Sequence, residues 1–505
     1  MWENILAGFV NSLVPINLLL MILGLVGGII IGALPGLTAT MGVALMVPIT
    51  FAMDPISGLI MLGAIYSGAI YGGSNSAILI NTPGTPSAVA TTFDGWPMTK
   101  KGLADDALNT ALIASAFGGL FGTLVLLFLA APMAQLSLKF GAPEFFWLCI
   151  FGLSTIASMS QNNVLKGLLS GAFGLLISTI GLDPVLGLPR FTFGNYTFVQ
   201  GIEVIPAMIG LFSFSQVIYL VGSKNNYIAD YKAKKGVTSR ILKQMAKTCK
   251  ANLMRSSIIG AIVGILPGAG GEIASIISYN EGKKWDHNKG KYGTGVIDGV
   301  CSSEAANNAT IGGSLIPMLT LGIPGSAVAA VIMGALLAQG IQPGFKIFSN
   351  NGELAYSFIV SMLIANILMV VVGSILIKGT AKILNVRTSY IGVAIVALAI
   401  IGSYAIRNSM FDVAIMVFFG LVGHFGGRIG MDTGAAALGI ILGPIVEDNL
   451  SKSMAIAGAE GSIFTVFFTH PISLILIILT LISVLSPLFL GKHKSEKEAK
   501  ANDQA

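Results

Sequence analysis

The chain has 505 residues, of which 54% are hydrophobic and 10% are charged, whereas soluble globular proteins carry roughly 25% charged residues. Its 63 glycines and its mean hydropathy of +0.82 are typical of a membrane protein with close helix contacts. This composition excludes a large water-soluble enzyme core. The formal net charge is +6, and its distribution along the chain is more informative than its sum.

Long stretches of the chain carry almost no charge. Between Glu3 and Asp94 the only charged residue is Asp54, so several spans of about 20 apolar residues fit there. Because a segment in hydrocarbon must satisfy its own backbone hydrogen bonds, such runs predict helices. We therefore predict an all-α polytopic membrane protein with about 12 transmembrane helices. Further uncharged runs cover 107–138, 145–165, 204–223, 305–345, 354–377, 388–406 and 461–491.

The N-terminal sequence MWENILAGFV lacks the positively charged region of a cleavable signal peptide, so we expect the first helix to be retained. Cys149, Cys249 and Cys301 lie far apart, with no CxxC or Cys/His spacing. Neither a disulfide framework nor a zinc site is predicted, and the three cysteines are expected to be packing residues.

A basic segment near the middle divides the chain. Residues 223–255 are rich in Lys and Arg and contain a single acid, Asp230. Because short basic loops stay in the cytoplasm, we predict a cytoplasmic linker here, between a first membrane half (1–222) and a second membrane half (256–491). A nucleic-acid patch or a lipid-binding amphipathic helix is the alternative. The polar tail 492–505 is predicted to be disordered and cytoplasmic.

The two halves contain similar motifs in the same order. The first half has IIIGALPGLTATMG (29–42) and then INTPGTPSAVA (80–90). The second half has AIVGILPGAGGEIAS (261–275) and then LGIPGSAVAA (321–330). Each motif contains a Pro-Gly pair. This repetition predicts an internal duplication, and we expect the halves to be inverted in the membrane, as is common in secondary transporters.

Each Pro-Gly pair predicts a break in a membrane helix. Proline lacks a backbone N–H and disfavours helix for the preceding residue, and glycine admits positive φ. The freed backbone groups persist in a membrane only where protein buries them or where they line a wet cavity. Paired breaks in two halves favour a transporter's central site, and kinked helices without a ligand are the alternative. The predicted breaks are Leu34–Gly36, Thr82–Gly84, Leu266–Gly268 and Ile323–Gly325.

The polar residues around the breaks suit an anion and a small hard cation. Hydroxyls and amides coordinate Na⁺ through oxygen and donate to carboxylates, and helix N-termini offset negative charge. Interhelical hydrogen bonding is the alternative for the asparagines. The residues are Ser74, Asn75, Ser76, Asn81, Thr82, Thr85 and Ser87 in the first half and Glu304, Asn307, Asn308, Thr310 and Ser314 in the second half.

Two acids lie close to these motifs. Glu272 follows the third Pro-Gly pair, and Glu304 lies within a largely apolar region. Since an ionisable group inside a membrane is costly, each is a candidate cation ligand or proton carrier. The alternative for each is a helix end in contact with water.

Several catalytic motifs are missing from the sequence. It contains no GxxxxGK[ST], no HExxH and no GxSxG, which excludes an ATPase with a P-loop and disfavours an intramembrane hydrolase. We predict that the chain is not an enzyme. A passive channel is one alternative, and an intramembrane enzyme would have at most Glu272 and Glu304 as its acid and base.

The sequence resembles the large membrane subunit (TctA type) of the tripartite tricarboxylate transporters over nearly its whole length. The similarity is closest at GALPGLTATMGVALMVPITF (32–51), YGGSNSAILINTPGTPSAVATTFDGWPMTKKG (71–102), GILPGAGGEIAS (264–275) and SEAANNATIGGSLIPMLTLGIPGS (303–326). The resemblance implies a permease of the bacterial inner membrane that takes up citrate or related organic anions. Uptake would use the sodium or proton gradient. A permease for a dicarboxylate or other organic acid, or a passive anion channel, is the alternative.

The resemblance also implies partners and site residues. The partners are a small membrane subunit (TctB type) and a periplasmic solute-binding protein (TctC type), and no nucleic acid is expected. Na⁺ is the implied coupling ion, with H⁺ as the alternative, and its candidate ligands are Asn75, Asn308 and Thr310. The substrate and cation sites of the family map onto Pro35, Gly36, Thr38, Thr40, Asn75, Ser76, Asn81, Thr82, Pro83, Gly84, Thr85, Ser87, Pro267, Gly268, Gly270, Gly271, Asn307, Asn308, Pro324, Gly325 and Ser326.

The second half departs from the family pattern at three positions. Members often have a small residue at the position of Glu272 and an Ala-Pro where Ser302 and Ser303 stand. An extra carboxylate near the site would repel a trivalent anion, so these departures bear on which carboxylate is bound. Hairpin tips built from small residues suit an elevator-like movement, and rocking of the halves is the alternative.

Overall fold

A computed structural model describes residues 2–158, 164–183, 187–222, 231, 236–285, 289–386, 388–460 and 462–485. The chain divides into two compact units that alternate along the sequence, and each unit draws residues from both predicted halves. The first unit comprises Met1–Ser137 and Ile205–His424. The second unit comprises Leu138–Val204 and Phe425–Ala505.

Helices account for nearly all of the regular structure in the part of the chain that the structure describes. They are α1 (Trp2–Leu13), α2 (Pro15–Ala33), α3 (Ala39–Phe51), α4 (Pro55–Ile80), α5 (Val89–Lys100), α6 (Ala104–Ser137), α7 (Ala142–Ser158), α8 (Val164–Ser178), α9 (Val204–Met208), α10 (Ser215–Gly222), α11 (Val237–Thr248), α12 (Lys250–Ile265), α13 (Gly270–Trp285), α14 (Ile297–Leu321), α15 (Ala327–Ala338), α16 (Phe345–Asn350), α17 (Gly352–Leu376), α18 (Thr380–Leu384), α19 (Thr388–Arg407), α20 (Met410–Arg428), α21 (Thr433–Glu460), α22 (Ile463–Phe468) and α23 (Pro471–Leu485). A π-helical segment, Ile209–Phe214, joins α9 to α10.

Within the described ranges, six helices are long and apolar enough to cross a membrane. They are Pro15–Ala33, Pro55–Ile80, Ala104–Ser137, Gly352–Gly379, Tyr390–Arg407 and Met410–Arg428. Shorter apolar helices are Ala39–Phe51, Ala142–Thr155, Val164–Ser178, Val204–Tyr219, Ala327–Ala338 and Pro471–Leu485. An all-α polytopic membrane protein is therefore the fold class, as predicted, whereas the number of spans and the inverted repeat stay predictions.

Local sequence explains where several helices begin. Pro55 is the first residue of α4, and the Asp54 side chain accepts hydrogen bonds from the backbone N–H groups of Ile56 and Ser57. This is the usual pairing of an acidic N-cap with a proline at the first helical position. The helices α3 and α15 are capped in the same way by the hydroxyls of Thr38 and Ser326.

The core of the first unit is built around α4 and α14, whose residues are almost all buried. Helix α2 packs along α4, and α6 and α12 pack along α14. A Cβ added to Gly32 on α2 would overlap the carbonyl oxygen of Ala69, and one added to Gly260 on α12 would overlap that of Ala306. Backbones therefore approach so closely that only glycine fits, which is the usual packing of small residues between membrane helices.

The second unit contains α7, α8, α21, α22, α23 and a short antiparallel hairpin. Strand β1 (Gly181–Leu182) pairs with β2 (Pro189–Arg190), with Gly181 opposite Arg190. The Arg190 guanidinium lies 3.2 Å from a carboxylate oxygen of Asp183, and its Nη2 donates to Glu447 of α21 at 3.0 Å. This charge-assisted pairing fixes the hairpin to α21.

The structure bears on two further predictions. All three cysteines are buried free thiols, as expected of packing residues. The predicted linker contains α11 and the first turns of α12, so it is partly helical. Its residues 223–230 and 232–235 lie outside the described residues, as does the tail 492–505.

Candidate functional site

In each half, one helix ends at the first Pro-Gly pair. Helix α2 ends at Ala33 and α12 ends at Ile265. The next residues, Leu34 and Leu266, leave the helix with ψ of 116° and 117°. Gly36 and Gly268 then take φ of 88° and 80°. The structure thus breaks both helices where the sequence predicts, and it does so with nearly the same backbone geometry.

The second Pro-Gly pair of each half forms a turn that folds back on the preceding helix. We call residues 81–88 the first tip and residues 322–326 the second tip. Asn81 follows α4 with φ of 54°, and Gly322 follows α14 with φ of 73°. The Gly84 N–H then donates to Gly73 O at 3.1 Å, and the Gly325 N–H donates to Ser314 O at 3.1 Å. The two tips therefore share one local design at the same spacing.

The second tip is fixed by contacts with both halves. The Tyr66 hydroxyl on α4 lies 3.1 Å from the Ser326 Oγ and 3.3 Å from the Ser314 Oγ. The Gly268 N–H donates to Gly325 O at 3.0 Å. Contacts of this kind join the break after α12 to the second tip, so residues far apart in the sequence meet at one place.

The first tip meets the second half at the start of α13. A Cβ on Gly271 would overlap the Asn307 Oδ1 and would lie 3.0 Å from the Ser87 Cβ and 3.3 Å from the Thr310 Oγ1. We call Ser87, Gly271, Asn307 and Thr310 the central cluster. Both side-chain polar atoms of Asn307 are buried with no hydrogen bond of ordinary geometry to the described residues, although the side chain lies close to the Glu304 carboxylate. Buried polar groups in this condition are completed by water, an ion or a ligand.

The N-terminus of α13 points into the same region. Gly270 has φ of 59°, and a Cβ there would meet no atom of the described residues within 4 Å. The first N–H groups of α13 have no intrahelical partner, and they carry the positive end of the helix dipole. Thr85 extends the polar surface, since its Oγ1 lies 3.2 Å from the Ser87 Oγ. The cluster therefore offers neutral donors and a helix N-terminus to an anion.

Two of the three candidate sodium ligands, Asn308 and Thr310, lie on different sides of α14. The Asn308 Nδ2 donates to the Ser115 Oγ of α6 at 2.8 Å. Thr310 faces α12 and α13 on another side of α14, and its hydroxyl donates to Asn307 O at 2.6 Å. The Asn75 Oδ1 on α4 is buried without a hydrogen-bond partner of ordinary geometry in the described residues. Asn308 and Thr310 thus face different neighbours.

The other predicted site residues shape the breaks. Thr38 caps α3, and Thr40 is buried in its first turn beyond Pro35. Backbone oxygens accept from Ser76 (Gly73 O, 3.4 Å) and Thr82 (Ile80 O, 3.3 Å). Pro83, Pro267 and Pro324 stand in the non-helical segments between helices.

Glu304 lies in the interior of α14 and is fully buried. Its carboxylate accepts hydrogen bonds from Thr91 on α5, from Ser115 at 3.0 Å and from Asn308 at 3.4 Å. The alternative of a water-exposed helix end therefore does not apply to it. Glu272 does stand at a helix end, in the first turn of α13, and it is partly exposed.

Sequence reasoning missed Thr91, Ser115 and Asp94. Single hydroxyls in apolar helices carry no signal of their own, because most of them bond their own backbone. Asp94 is fully buried and accepts from the N–H groups of Gly295 at 2.7 Å and Val296 at 3.0 Å. It fixes the start of α14. An acid in an otherwise uncharged stretch was the one available signal.

Fold and site together define a polytopic membrane protein of the transporter class, in which paired broken helices surround a buried polar cluster. Residues 18–438 match the family model "Tripartite tricarboxylate transporter TctA family", which covers most of the chain. The protein therefore belongs to the TctA family of tripartite tricarboxylate transporters, a family of transporter membrane subunits, as the sequence resemblance indicated.

Two proteins of Agrobacterium vitis are similar to this chain. The "Uncharacterized 52.8 kDa protein in TAR-I ttuC' 3'region" is 37% identical over 471 residues, which is 93% of each chain. The "Uncharacterized protein in TAR-II ttuC' 3'region" is 39% identical over 229 residues, 45% of this chain and 93% of that protein. No solved structure matches.

Proposed function

We propose that this chain is the permease subunit of a tripartite secondary transporter in the bacterial inner membrane. It takes up citrate or a related organic anion, and a sodium or proton gradient drives the uptake. The observation that carries the proposal is the meeting of the first tip with Asn307 and Gly271, because residues from both halves form one buried polar cluster there. Family membership supports transport as the activity.

The cluster would bind a carboxylate through neutral donors. The amide of Asn307 and the hydroxyl of Ser87 are positioned to donate, and the free N–H groups at the start of α13 add the dipole of a helix N-terminus. Neither Lys nor Arg belongs to the cluster. A co-transported cation would therefore offset part of the substrate's charge.

Sodium is the proposed coupling ion, with a proton as the alternative. The buried Asn75 Oδ1 is the strongest single oxygen candidate among the three sequence-derived ligands, because it has no competing partner of ordinary geometry in the described residues. Asn308 and Thr310 would act on different sides of α14.

The matching geometry of the two tips supports duplicated halves, and we propose that these halves are inverted in the membrane. The same hydrogen bond from the Pro-Gly glycine closes each tip, and a left-handed residue begins each one. Alternating access would then carry the cluster between the two membrane faces, by an elevator-like movement or by rocking of the halves.

The proposed partners are a small membrane subunit and a periplasmic solute-binding protein, which the tripartite family supports. A dicarboxylate is the second candidate substrate. Glu272 stands one residue after Gly271 in the first turn of α13, where a carboxylate weakens the positive field of the helix N-terminus. A substrate of lower charge would be repelled less.

Uptake of labelled citrate by cells tests the function. The cells would express this chain with its small subunit and binding protein, and matched cells would lack each component in turn. Uptake that requires all three components supports the proposal. Uptake of labelled succinate in place of citrate would identify a dicarboxylate permease, and no uptake of any carboxylate by the complete system would contradict the function.

A further inference from the structure

Glu304 occupies a neutral environment inside the first unit. It is 0% exposed, and each of its side-chain hydrogen-bond partners is a hydroxyl or an amide. No Lys, Arg or His of the described residues forms a salt bridge with it. An unpaired buried carboxylate is costly, because neither solvent nor an opposite charge compensates it.

The titratable groups on the helices around α14 do not supply that charge. Tyr71 on α4 is a phenol, which carries no positive charge in either protonation state. The lysines on these helices are exposed, whereas Glu304 is buried: Lys100, Lys250, Lys283 and Lys346. Other groups are engaged elsewhere: Tyr66 with Ser326, Asp94 with Tyr279 and the loop before α14, Asp105 with Tyr231, Asp106 with Arg240, Arg255 with Asn252, and Asp298 with Cys249. Glu272 and Glu281 on α13 are acids, and Lys284 pairs with Glu281.

Hydrogen bonds on the Oε2 side of the carboxylate have one direction. The Asn308 Nδ2 donates to the Ser115 Oγ at 2.8 Å. Ser115 has one hydroxyl proton, which it donates to the Glu304 Oε2 at 3.0 Å. The Glu304 Oε2 therefore keeps its hydrogen bond from Ser115 whether or not the carboxyl group carries a proton.

Hydrogen bonds on the Oε1 side have two possible directions. The Thr91 hydroxyl contacts the Glu304 Oε1, and it also lies 3.0 Å from the Ser303 Oγ. Ser303 donates to the backbone oxygen of Val300 at 3.1 Å, so its own oxygen is free to accept. Thr91 therefore has an acceptor on either side.

Both protonation states are satisfied by the same heavy-atom positions. In the ionised state Thr91 donates to the Glu304 Oε1. When one proton binds to Oε1, that O–H donates to Thr91, and Thr91 turns its own proton to Ser303. One O–H bond forms, no covalent bond breaks, and the rotation of one hydroxyl is the whole rearrangement.

We propose that Glu304 is a proton-binding site of the transport cycle, with Thr91 as the hydroxyl that follows its protonation state. This inference rests on the proposed function. Thr91 lies on α5 just after the first tip, and Glu304 lies one helical turn before Asn307. A proton gained or lost at Glu304 thus changes the hydrogen bonding between α14 and α5, the helix that follows the first tip.

Infrared spectroscopy of the purified full-length protein in sodium-free buffer tests the site directly, with the proton as the probe. We expect the difference between the low-pH and high-pH spectra of the wild type to contain a carbonyl-stretch band of a protonated carboxyl group that is missing from the same difference for Glu304→Gln. Thr91→Val should retain this band at a shifted frequency. Glu281→Gln, at an acid paired with Lys284, is the matched control and should keep the band. Difference spectra that are the same for the wild type and Glu304→Gln overturn the proposal.

Transport gives the second readout. In vesicles that hold the complete transporter, substrate accumulation driven by a pH gradient should fall at least about tenfold in Glu304→Gln, which corresponds to about 1.4 kcal/mol of lost coupling. Accumulation by this variant equal to that of the wild type would overturn the inference while leaving the proposed function intact. If the wild type shows the titrating band but takes up no carboxylate, the proposed function is overturned while proton binding at Glu304 stands.

Discussion

The hydroxyl of Tyr279 on α13 donates to the Oδ2 of Asp94 on α5 at 2.8 Å. The same carboxylate accepts from the N–H groups of Gly293, Gly295 and Val296 just before α14. An acid from the first half thereby fixes the loop that leads into a helix of the second half. Asp54, by contrast, caps α4 directly, because it accepts from N–H groups within that helix.

We expect Asp94→Asn to destabilise the protein more than Asp54→Asn. An amide replaces one acceptor oxygen with a donor that faces N–H groups, and losing charge-assisted hydrogen bonds in a buried place costs about 2–3 kcal/mol. At Asp54 the substitution should matter little, because asparagine is a good N-cap residue. Thermal unfolding of the detergent-solubilised variants measures the difference. Equal losses would contradict the account of α14.

Glycine packing between α2 and α4 predicts opposite effects for two neighbouring substitutions. Gly32→Ala puts a methyl group against the backbone of Ala69, and overpacking of this kind costs about 1–3 kcal/mol. Gly27 lies on the same helix with no atom of the described residues near its missing Cβ, so Gly27→Ala should be neutral or stabilising by up to about 1 kcal/mol. Unfolding curves of the two variants measure the change in stability, and the prediction is wrong if Gly27→Ala destabilises the protein more than Gly32→Ala does.

The place of the first tip predicts protection by substrate. The three native cysteines are 0–2% exposed and Ser87 is 8% exposed, so Ser87→Cys introduces into the central cluster a thiol that is more accessible than the native ones. We expect citrate to slow its alkylation by a membrane-permeant reagent by about tenfold, the effect of a ligand near ten times its Kd. Ser349→Cys, on an exposed surface, should react at the same rate with or without citrate. If no transported substrate slows the alkylation of Ser87→Cys, Ser87 does not belong to the substrate site.

The hydroxyl of Tyr66 is expected to matter for transport. Tyr66→Phe removes the contacts with Ser314 and Ser326 that hold the second tip, at about 0.5–1.5 kcal/mol for each hydrogen bond. Initial uptake rates should therefore fall by about threefold to tenfold, as a barrier change of this size implies. Tyr404→Phe, at an exposed side chain, is the control. If Tyr66→Phe takes up substrate at the wild-type rate, the second tip does not depend on the Tyr66 hydroxyl.

Sequence predicted the helix breaks because Pro-Gly chemistry is local. The loss of a backbone N–H and the positive φ of Gly36 and Gly268 act wherever the chain is placed. The contact of Thr91 with Glu304 could not be predicted, since it depends on how α5 packs against α14. The different directions of Asn308 and Thr310, by contrast, follow from helical periodicity, because residues two apart on a helix do not share a face.

The most direct test of coupled transport is the steady-state accumulation of labelled citrate, or of succinate if that is the substrate found, in vesicles that hold the complete transporter. We expect an internal concentration above the external one that collapses when an ionophore removes the imposed sodium or proton gradient. Equilibration to the external concentration, unchanged by every ionophore, would contradict the account and indicate a passive channel.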